Sequence, residues 1–207
     1  RFSVGAVSFK KRRDSTGVRG ISLADGDELI SMTILRHFDA SPAERTAFQK
    51  QWAAEQRVAG DEEADVEDVV VDEAEEEVNG IDALSPDRYA EMMLAQQFVL
   101  TVNEQGYGKR SSSYEFRISG RGGKGIKATD QSKLDEIGKL VAGFPVEPTD
   151  QIMLVSDGGQ LIRVPVGQIR IVSRASKGVR IFNTGEGEKV VSVEHISDIG
   201  EENGAEE

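Results

Sequence analysis

The sequence predicts an all-β, propeller-like array of short antiparallel strands, partial in extent and interrupted by a helical and acidic insertion. One observation is a loop motif, Arg-x-x-x-Gly followed by a branched aliphatic residue and a cation, which opens at Arg13, Arg121 and Arg174. Another is an offset of 53 residues that matches Gly106 with Gly159 and aligns the strand-like runs around them. Repeats of about fifty residues built from short strands are typical of propeller blades.

Residues 1–37 predict the remainder of one blade, with strands expected at 4–9 and 29–35. The chain opens inside a strand pattern without an initiator methionine, so we interpret it as a fragment of a longer protein. The remaining boundaries predicted by the repeats are an insertion at 38–96, a second blade at 97–149, a third blade at 150–197 and an acidic tail at 198–207.

The insertion predicts two short helices on either side of an acidic run. Ser41, Pro42 and Glu44 form a capping box with proline at the first helical position, and Ser85 followed by Pro86 opens a second helix. We expect this hairpin to pack on the rim of the array. A dedicated protein-binding module is the alternative.

Acidic residues are concentrated in two segments. The net charge is −12, yet residues 61–78 hold eleven acidic side chains and residues 198–207 hold five, with no basic residue in either segment. The rest of the chain therefore has a net charge of +4. Both acidic segments are expected to lack a defined conformation because they combine like charge with little apolar content. Cysteine is absent, which excludes disulfides and thiolate metal sites from the sequence.

No catalytic, cofactor or metal site is indicated. Lys124 is followed by glycine and a strand-like run, which argues against a P-loop, since that motif requires Ser or Thr and then a helix. His37 and His195 lack the companions of a metal site. Arg88 and Tyr89 resemble the surroundings of a DNA-cleaving tyrosine only as a dipeptide. No apolar run reaches membrane-spanning length, so no membrane partner is expected.

The basic loops predict phosphate binding. Glycines at 122, 123 and 125 would let backbone amides approach a phosphate, while neighbouring cations supply charge. Cations repeated around a perimeter would hold duplex DNA by its backbone, with little base reading. A purely structural role in blade-to-blade turns is the alternative. The candidate DNA-binding residues are Arg13, Arg19, Lys109, Arg110, Arg117, Arg121, Lys124, Lys127, Arg170, Arg174, Lys177 and Arg180.

At residues 17–21, 103–110, 151–155 and 173–179 the chain resembles the C-terminal domain of the DNA gyrase A subunit. The resemblance implies a β-pinwheel, of which the last three blades would be present here. The family's box, Gln-Arg-Arg-Gly-Gly-Lys-Gly, is imitated at 119–125, with Ser and Gly in its first two positions. The true box is therefore expected in an earlier blade.

The same resemblance implies that the chain wraps duplex DNA so that a type II topoisomerase, DNA gyrase, can introduce negative supercoils. The implied partners are DNA, the gyrase B subunit and the remainder of the gyrase A subunit. The implied location is the bacterial cytoplasm, at the nucleoid. The catalytic tyrosine and the ATPase of the enzyme would lie outside this chain. Two alternatives stay open, namely a propeller used as a protein-interaction platform and the C-terminal domain of the topoisomerase IV A subunit.

Overall fold

The computed structural model describes residues 1–8, 14–58 and 81–197. The acidic run at 61–78 and the tail at 198–207 lie outside the described residues, so their predicted lack of a defined conformation stays a prediction. Candidate Arg13 lies outside them as well.

Two helices form the described part of the insertion, and both begin where the sequence predicts. Helix α1 spans Pro42–Val58 and helix α2 spans Pro86–Ala95. The capping box is confirmed, because the Ser41 amide donates to the Glu44 carboxylate at 2.8 Å and the Glu44 amide donates to the Ser41 hydroxyl at 3.2 Å. At α2 the Arg88 amide donates to the Ser85 hydroxyl at 3.3 Å.

The helical hairpin is docked on the second blade by an apolar cluster of its own. Phe48 of α1 and Met92 of α2 are fully buried, and both pack with Tyr114. The Tyr114 hydroxyl donates to the Met92 carbonyl at 2.9 Å. Where the insertion joins the blade, the Gln97 side chain exchanges two hydrogen bonds with the backbone of Arg36. The insertion is thus fixed at its base as well as along its face.

The strands form two antiparallel sheets. In one sheet the order is β3-β1-β2-β6, and in the other it is β5-β4-β7. The strands are β1 (Phe98–Asn103), β2 (Tyr107–Ser112), β3 (Leu140–Val146), β4 (Gln151–Ser156), β5 (Leu161–Pro165), β6 (Val179–Arg180) and β7 (Val190–Ile196). Because β6 comes from the last repeat and pairs with β2, the second and third predicted blades are joined by strand pairing.

One apolar core lies between the two sheets. Leu100 and Val102 of β1 pack with Ile152 and Leu154 of β4, and all four side chains are fully buried. Val190 of β7 belongs to the same cluster. Burial of such aliphatic side chains contributes roughly 1.5–3 kcal/mol each. On β4, buried side chains alternate with half-buried ones. The buried side chains Ile152 and Leu154 form the face that packs against the neighbouring sheet.

The strands predicted within residues 1–37 are wrong. Val4–Ala6 is a 3-10 turn, residue 9 of the first predicted strand lies outside the described residues, and residues 29–35 form no regular strand. The side chains of Met32 and Ile34 are 85 % and 71 % exposed. A strand requires a neighbour that accepts and donates its backbone hydrogen bonds, and no described residue forms a ladder with this segment. The apolar alternation was therefore present in the sequence without the pairing that would make it a strand.

The second basic loop, residues 119–125, is followed by a polar segment that forms two short helical turns. A 3-10 turn spans Gln131–Lys133 and leads directly into α3, Leu134–Ile137. Ile137 is fully buried and anchors the segment. No described helix is long and apolar enough to cross a membrane.

Candidate nucleic-acid interface

The second basic loop lies against the first copy of its own motif. The Gly122 amide donates to the Gly20 carbonyl at 2.8 Å, and the Ser22 amide donates to the Gly123 carbonyl at 2.9 Å. Gly122 and Gly125 have φ angles of 81° and 82°, a left-handed conformation that favours glycine. The glycines that the sequence marks therefore shape a turn and pair two repeats.

Arg121 is exposed, yet its guanidinium donates hydrogen bonds to backbone carbonyls of residues 1–37. Its Nε donates to the Ala6 carbonyl at 3.0 Å, and a terminal nitrogen donates to the Arg19 carbonyl at 2.7 Å. Arg174 repeats this arrangement one blade later, since its guanidinium donates to the Lys127 carbonyl. In both copies the arginine that opens the motif binds the carbonyl of the cation that closes the preceding copy. The motif thus encodes a contact between consecutive repeats.

Lys124, Lys127 and Arg19 carry the unengaged charge of the paired loops. All three residues are exposed. Within the described part of the chain, their side chains have no hydrogen-bond or ion-pair partner. The pairing of residues 17–22 with 119–125 brings cations of two repeats to one region of the surface. This region can meet a polyanion without first breaking an internal bond.

Lys109 is buried and holds the third basic loop from inside. Its side chain is 1 % exposed, and its Nζ donates to the carbonyls of Ser173, Arg174 and Ser176 at 3.1, 2.5 and 2.5 Å. Burial lowers the pKa of the Lys109 ammonium to about 8, against the opposing charge of Glu115. The Ser173 carbonyl also accepts from the Ser176 amide at 3.0 Å, whereas Lys109 is the donor to the Arg174 and Ser176 carbonyls.

Glu115 fixes the same loop from its other side. Its carboxylate accepts from the Arg174 amide at 2.6 Å and from the Ser173 hydroxyl at 3.4 Å. Burial raises the pKa of the Glu115 carboxyl, while the hydrogen bond from Arg174 lowers it. Lys109 and Glu115 together determine the conformation of the backbone that presents Lys177.

Arg110 ties the second blade to the third. Its side chain is 7 % exposed, with Nε donating to the Ile169 carbonyl at 2.6 Å and a terminal nitrogen to the Gly167 carbonyl at 3.2 Å. Burial lowers the pKa of this guanidinium. Its own backbone amide donates to the Arg170 carbonyl at 2.9 Å. Both the side chain and the backbone of Arg110 therefore contribute to the contact between blades.

Lys109, Arg110 and Arg174 are enclosed in the structure, unlike the exposed candidates, and DNA binding by their side chains stays a prediction. Lys109 is 1 % exposed, Arg174 3 % and Arg110 7 %. Each charged end binds backbone carbonyls of a neighbouring repeat, so a phosphate contact would require the side chain to leave the interior. Their positive charge is used to join blades.

The remaining candidates lie at or near the surface. Arg117 and Arg170 are half-buried. Lys177 and Arg180 flank Tyr107: the Lys177 Nζ lies 5.2 Å and the Arg180 Cζ lies 4.5 Å from the centre of its ring. The structure thus brings Lys124, Lys127 and Arg19 to one exposed region, and Lys177 and Arg180 to another.

This geometry occurs in a chain that matches a known protein family. The model of the DNA gyrase C-terminal domain, a β-propeller, matches residues 1–36, 97–147 and 150–197. The chain belongs to the DNA gyrase C-terminal domain family. The family resemblance and the propeller-type all-β fold predicted from the sequence are thereby confirmed. Residues 37–96, which contain the insertion, fall outside the match.

Among similar proteins, the A subunit of DNA gyrase from Granulibacter bethesdensis is 46% identical over 183 residues, covering 87% of this chain and 19% of that protein. The corresponding gyrase protein of Rickettsia bellii is 38% identical over 204 residues, covering 98% of this chain and 21% of that protein. The chain thus spans about a fifth of the length of these relatives. A solved structure of a DNA gyrase A C-terminal domain aligns with a TM-score of 0.46 at 25% identity, over 49% of this chain and 34% of that one.

Sequence reasoning missed two residues of this gyrase-type domain that contact the candidate cations. Tyr107 lies in the stretch 103–110 that carries the family resemblance, and Glu136 lies in the polar segment that ends at α3. A tyrosine beside a repeat glycine is the only sequence signal for the first. The second has none, because its proximity to Lys177 arises from tertiary packing. Within the described ranges, no group of three or more histidine, aspartate or glutamate side chains is arranged to hold a metal ion.

Proposed function

We propose that this gyrase C-terminal domain binds duplex DNA through its phosphate backbone, with little dependence on sequence, and wraps it along the blade perimeter. The observation that supports the proposal best is the exposed set of Lys124, Lys127 and Arg19, cations of two adjacent repeats whose side chains have no partner among the described residues. Ammonium and guanidinium groups that release counterions from phosphates supply sequence-independent affinity. Wrapping adds a bend that depends on DNA deformability.

In the whole protein, this role would support negative supercoiling by DNA gyrase, together with the B subunit and the remainder of the A subunit. The expected setting is the bacterial cytoplasm, at the nucleoid. The domain would contribute no reacting group. It would supply the curved path that directs one DNA segment toward the strand-passage site.

The proposal is tested by measuring the affinity of the domain for duplex DNA as a function of salt. We expect Lys124→Ala with Lys127→Ala to reduce the slope of log affinity against log salt by roughly 2, at about 0.9 per phosphate contact. The loss should be the same for duplexes of unrelated sequence, because backbone contacts carry no base information. Lys50→Ala, an exposed lysine on α1, is the control and should leave the slope unchanged.

Wrapping is measured on a duplex labelled at both ends, whose energy transfer should increase on binding. In the full enzyme, loss of negative supercoiling with strand passage retained would link the domain to gyrase activity. Decatenation without supercoiling by the unmodified enzyme would favour the topoisomerase IV alternative. A salt slope equal to that of the unmodified domain in the double variant would contradict phosphate binding by these two lysines.

A further inference from the structure

Four side chains meet where the third basic loop touches the second blade: Tyr107, Glu136, Lys177 and Arg180, here called the Tyr107 cluster. One Glu136 carboxylate oxygen accepts from the Lys177 Nζ at 2.8 Å and lies 3.2 Å from the Tyr107 hydroxyl. Arg180 donates to that hydroxyl at 2.9 Å. The Lys177 ammonium and the Tyr107 phenol thus meet at one carboxylate oxygen, and Arg180 lies behind the phenol as its hydrogen-bond donor.

The fold fixes three of these groups. Tyr107 is 9 % exposed, and its backbone on β2 pairs directly with Arg180 on β6. Lys177 follows the loop whose carbonyls Lys109 binds. The backbone therefore holds both cations within reach of the Tyr107 ring. Cations over an aromatic face are also stabilised by the ring quadrupole.

Glu136 is the weakly fixed member. It lies on the four-residue helix α3, its side chain is 43% exposed, and its contacts to the cluster are surface hydrogen bonds. The hydrogen bond from Lys177 is the largest cause of the lowered pKa of the Glu136 carboxyl. Exposed ion pairs of this kind are weak and are screened by salt. A competing anion could therefore displace this carboxylate without rearranging the blade.

The second and third copies of the basic loop motif differ in what surrounds their cations. Lys177 and Arg180 occupy the motif positions that Lys124 and Lys127 occupy in the second copy. The second-copy cations have no partner among the described residues, whereas the third-copy cations are engaged by Glu136 and Tyr107. Equivalent positions of one motif are thus open in one blade and occupied in the next.

We propose that the Tyr107 cluster is a phosphodiester-binding site that Glu136 occupies in the absence of DNA, as an internal competitor. A phosphodiester offers two non-bridging oxygens and one negative charge, like the carboxylate that it would replace. The ammonium of Lys177, the guanidinium of Arg180 and the Tyr107 hydroxyl would donate to it, and Glu136 would turn to solvent. The inference rests on the proposed DNA binding. It adds that DNA must displace the Glu136 carboxylate to bind the third blade, whereas no such displacement is needed at the second blade.

The test compares two substitutions that remove the same charge from the same short helix. Glu136→Gln removes the competitor, whereas Asp135→Asn removes an exposed neighbouring carboxylate with no described contact to the cluster. We expect Glu136→Gln to bind duplex DNA at low salt about two- to fivefold more tightly than the unmodified domain. Asp135→Asn should show a clearly smaller gain, because it changes only the general field.

A second pair of variants assigns the gain to the site. With Lys177→Ala in place, Glu136→Gln should no longer improve binding, since the cation that the carboxylate masks is gone. Equal gains from Glu136→Gln and Asp135→Asn would overturn the inference, as would a Glu136→Gln gain that persists beside Lys177→Ala. Either result would leave the proposed function intact if Lys124→Ala with Lys127→Ala still reduced the salt slope. Absence of any salt-dependent DNA binding by the unmodified domain would instead contradict the proposed function itself.

Discussion

Lys109 and Lys124 both follow a glycine, and they have opposite environments. Lys109 is 1 % exposed and binds three carbonyls, whereas Lys124 is exposed with no described partner. The difference arises from position on the blade: a strand residue facing the next repeat is enclosed by it, while a residue at a loop apex is not. At the residue scale, the cations therefore divide into those that join blades and those that are exposed at the surface.

The buried lysine predicts a dependence of stability on pH. Burial lowers the pKa of Lys109 to about 8, whereas an unfolded lysine titrates near about 10.4. Between these values the unfolded chain binds the additional proton, so this residue makes the free energy of unfolding rise with pH, by at most roughly 1.4 kcal/mol per pH unit.

Substitution of Lys109 should separate this effect from other titrations. Lys109→Met should lower the free energy of unfolding by about 1–3 kcal/mol at neutral pH, since buried carbonyls lose their donor. The difference from the unmodified domain should grow between about pH 8 and pH 10. Chemical denaturation at both pH values measures it, with Lys50→Met on α1 as the control. A difference that stays constant with pH would show that Lys109 does not titrate in this range.

At the element scale, the two cations of the second basic loop are expected to have different roles. Arg121 contacts the preceding repeat, whereas the Lys124 side chain has no hydrogen-bond or ion-pair partner among the described residues. Arg121→Ala should release the contact with the first segment, so the amides of Ser22 and Gly122 should exchange up to about tenfold faster. Lys124→Ala should leave this exchange unchanged and reduce only the salt slope of DNA binding. Hydrogen exchange measured on both variants decides between these roles. Equal exchange in the two variants would contradict the role of Arg121 in stabilising the contact between these repeats.

How far the sequence predicts these elements depends on the range of the interactions that form them. The starts of α1 and α2 are local, because Ser41 with Glu44 and Ser85 with Pro86 carry the capping chemistry within one turn. The strand expected at 29–35 required a partner far along the chain, and the described residues provide none. Glu136 beside Lys177 is equally non-local, since 41 residues separate them. Repeats predict the basic loops, but not which of their cations are enclosed.

At the scale of the whole molecule, charge is divided between basic repeats and acidic segments tethered to them. Outside residues 61–78 and 198–207 the net charge is +4, and the two segments together carry sixteen acidic side chains. In the sequence, the second segment follows β7 of the third blade, and the first connects α1 to α2. Both acidic segments are therefore joined covalently to the basic repeats that carry Lys124, Lys127 and Arg19.

This tethering predicts that the acidic segments weaken DNA binding at low salt. Deletion of residues 62–77 or of residues 201–207 should tighten binding to duplex DNA, because a local polyanion no longer competes for Lys124 and its repeat counterparts. The gain should shrink as salt rises, since screening acts on both interactions. Salt titration of each deletion measures this, with a length-matched variant carrying Gln and Asn in place of the acidic residues as the control. The neutral variant should bind like the deletion, because charge and not length is the cause. Affinity unchanged at low ionic strength in both deletions would contradict competition, and the perimeter cations would then meet DNA without an internal rival in either segment.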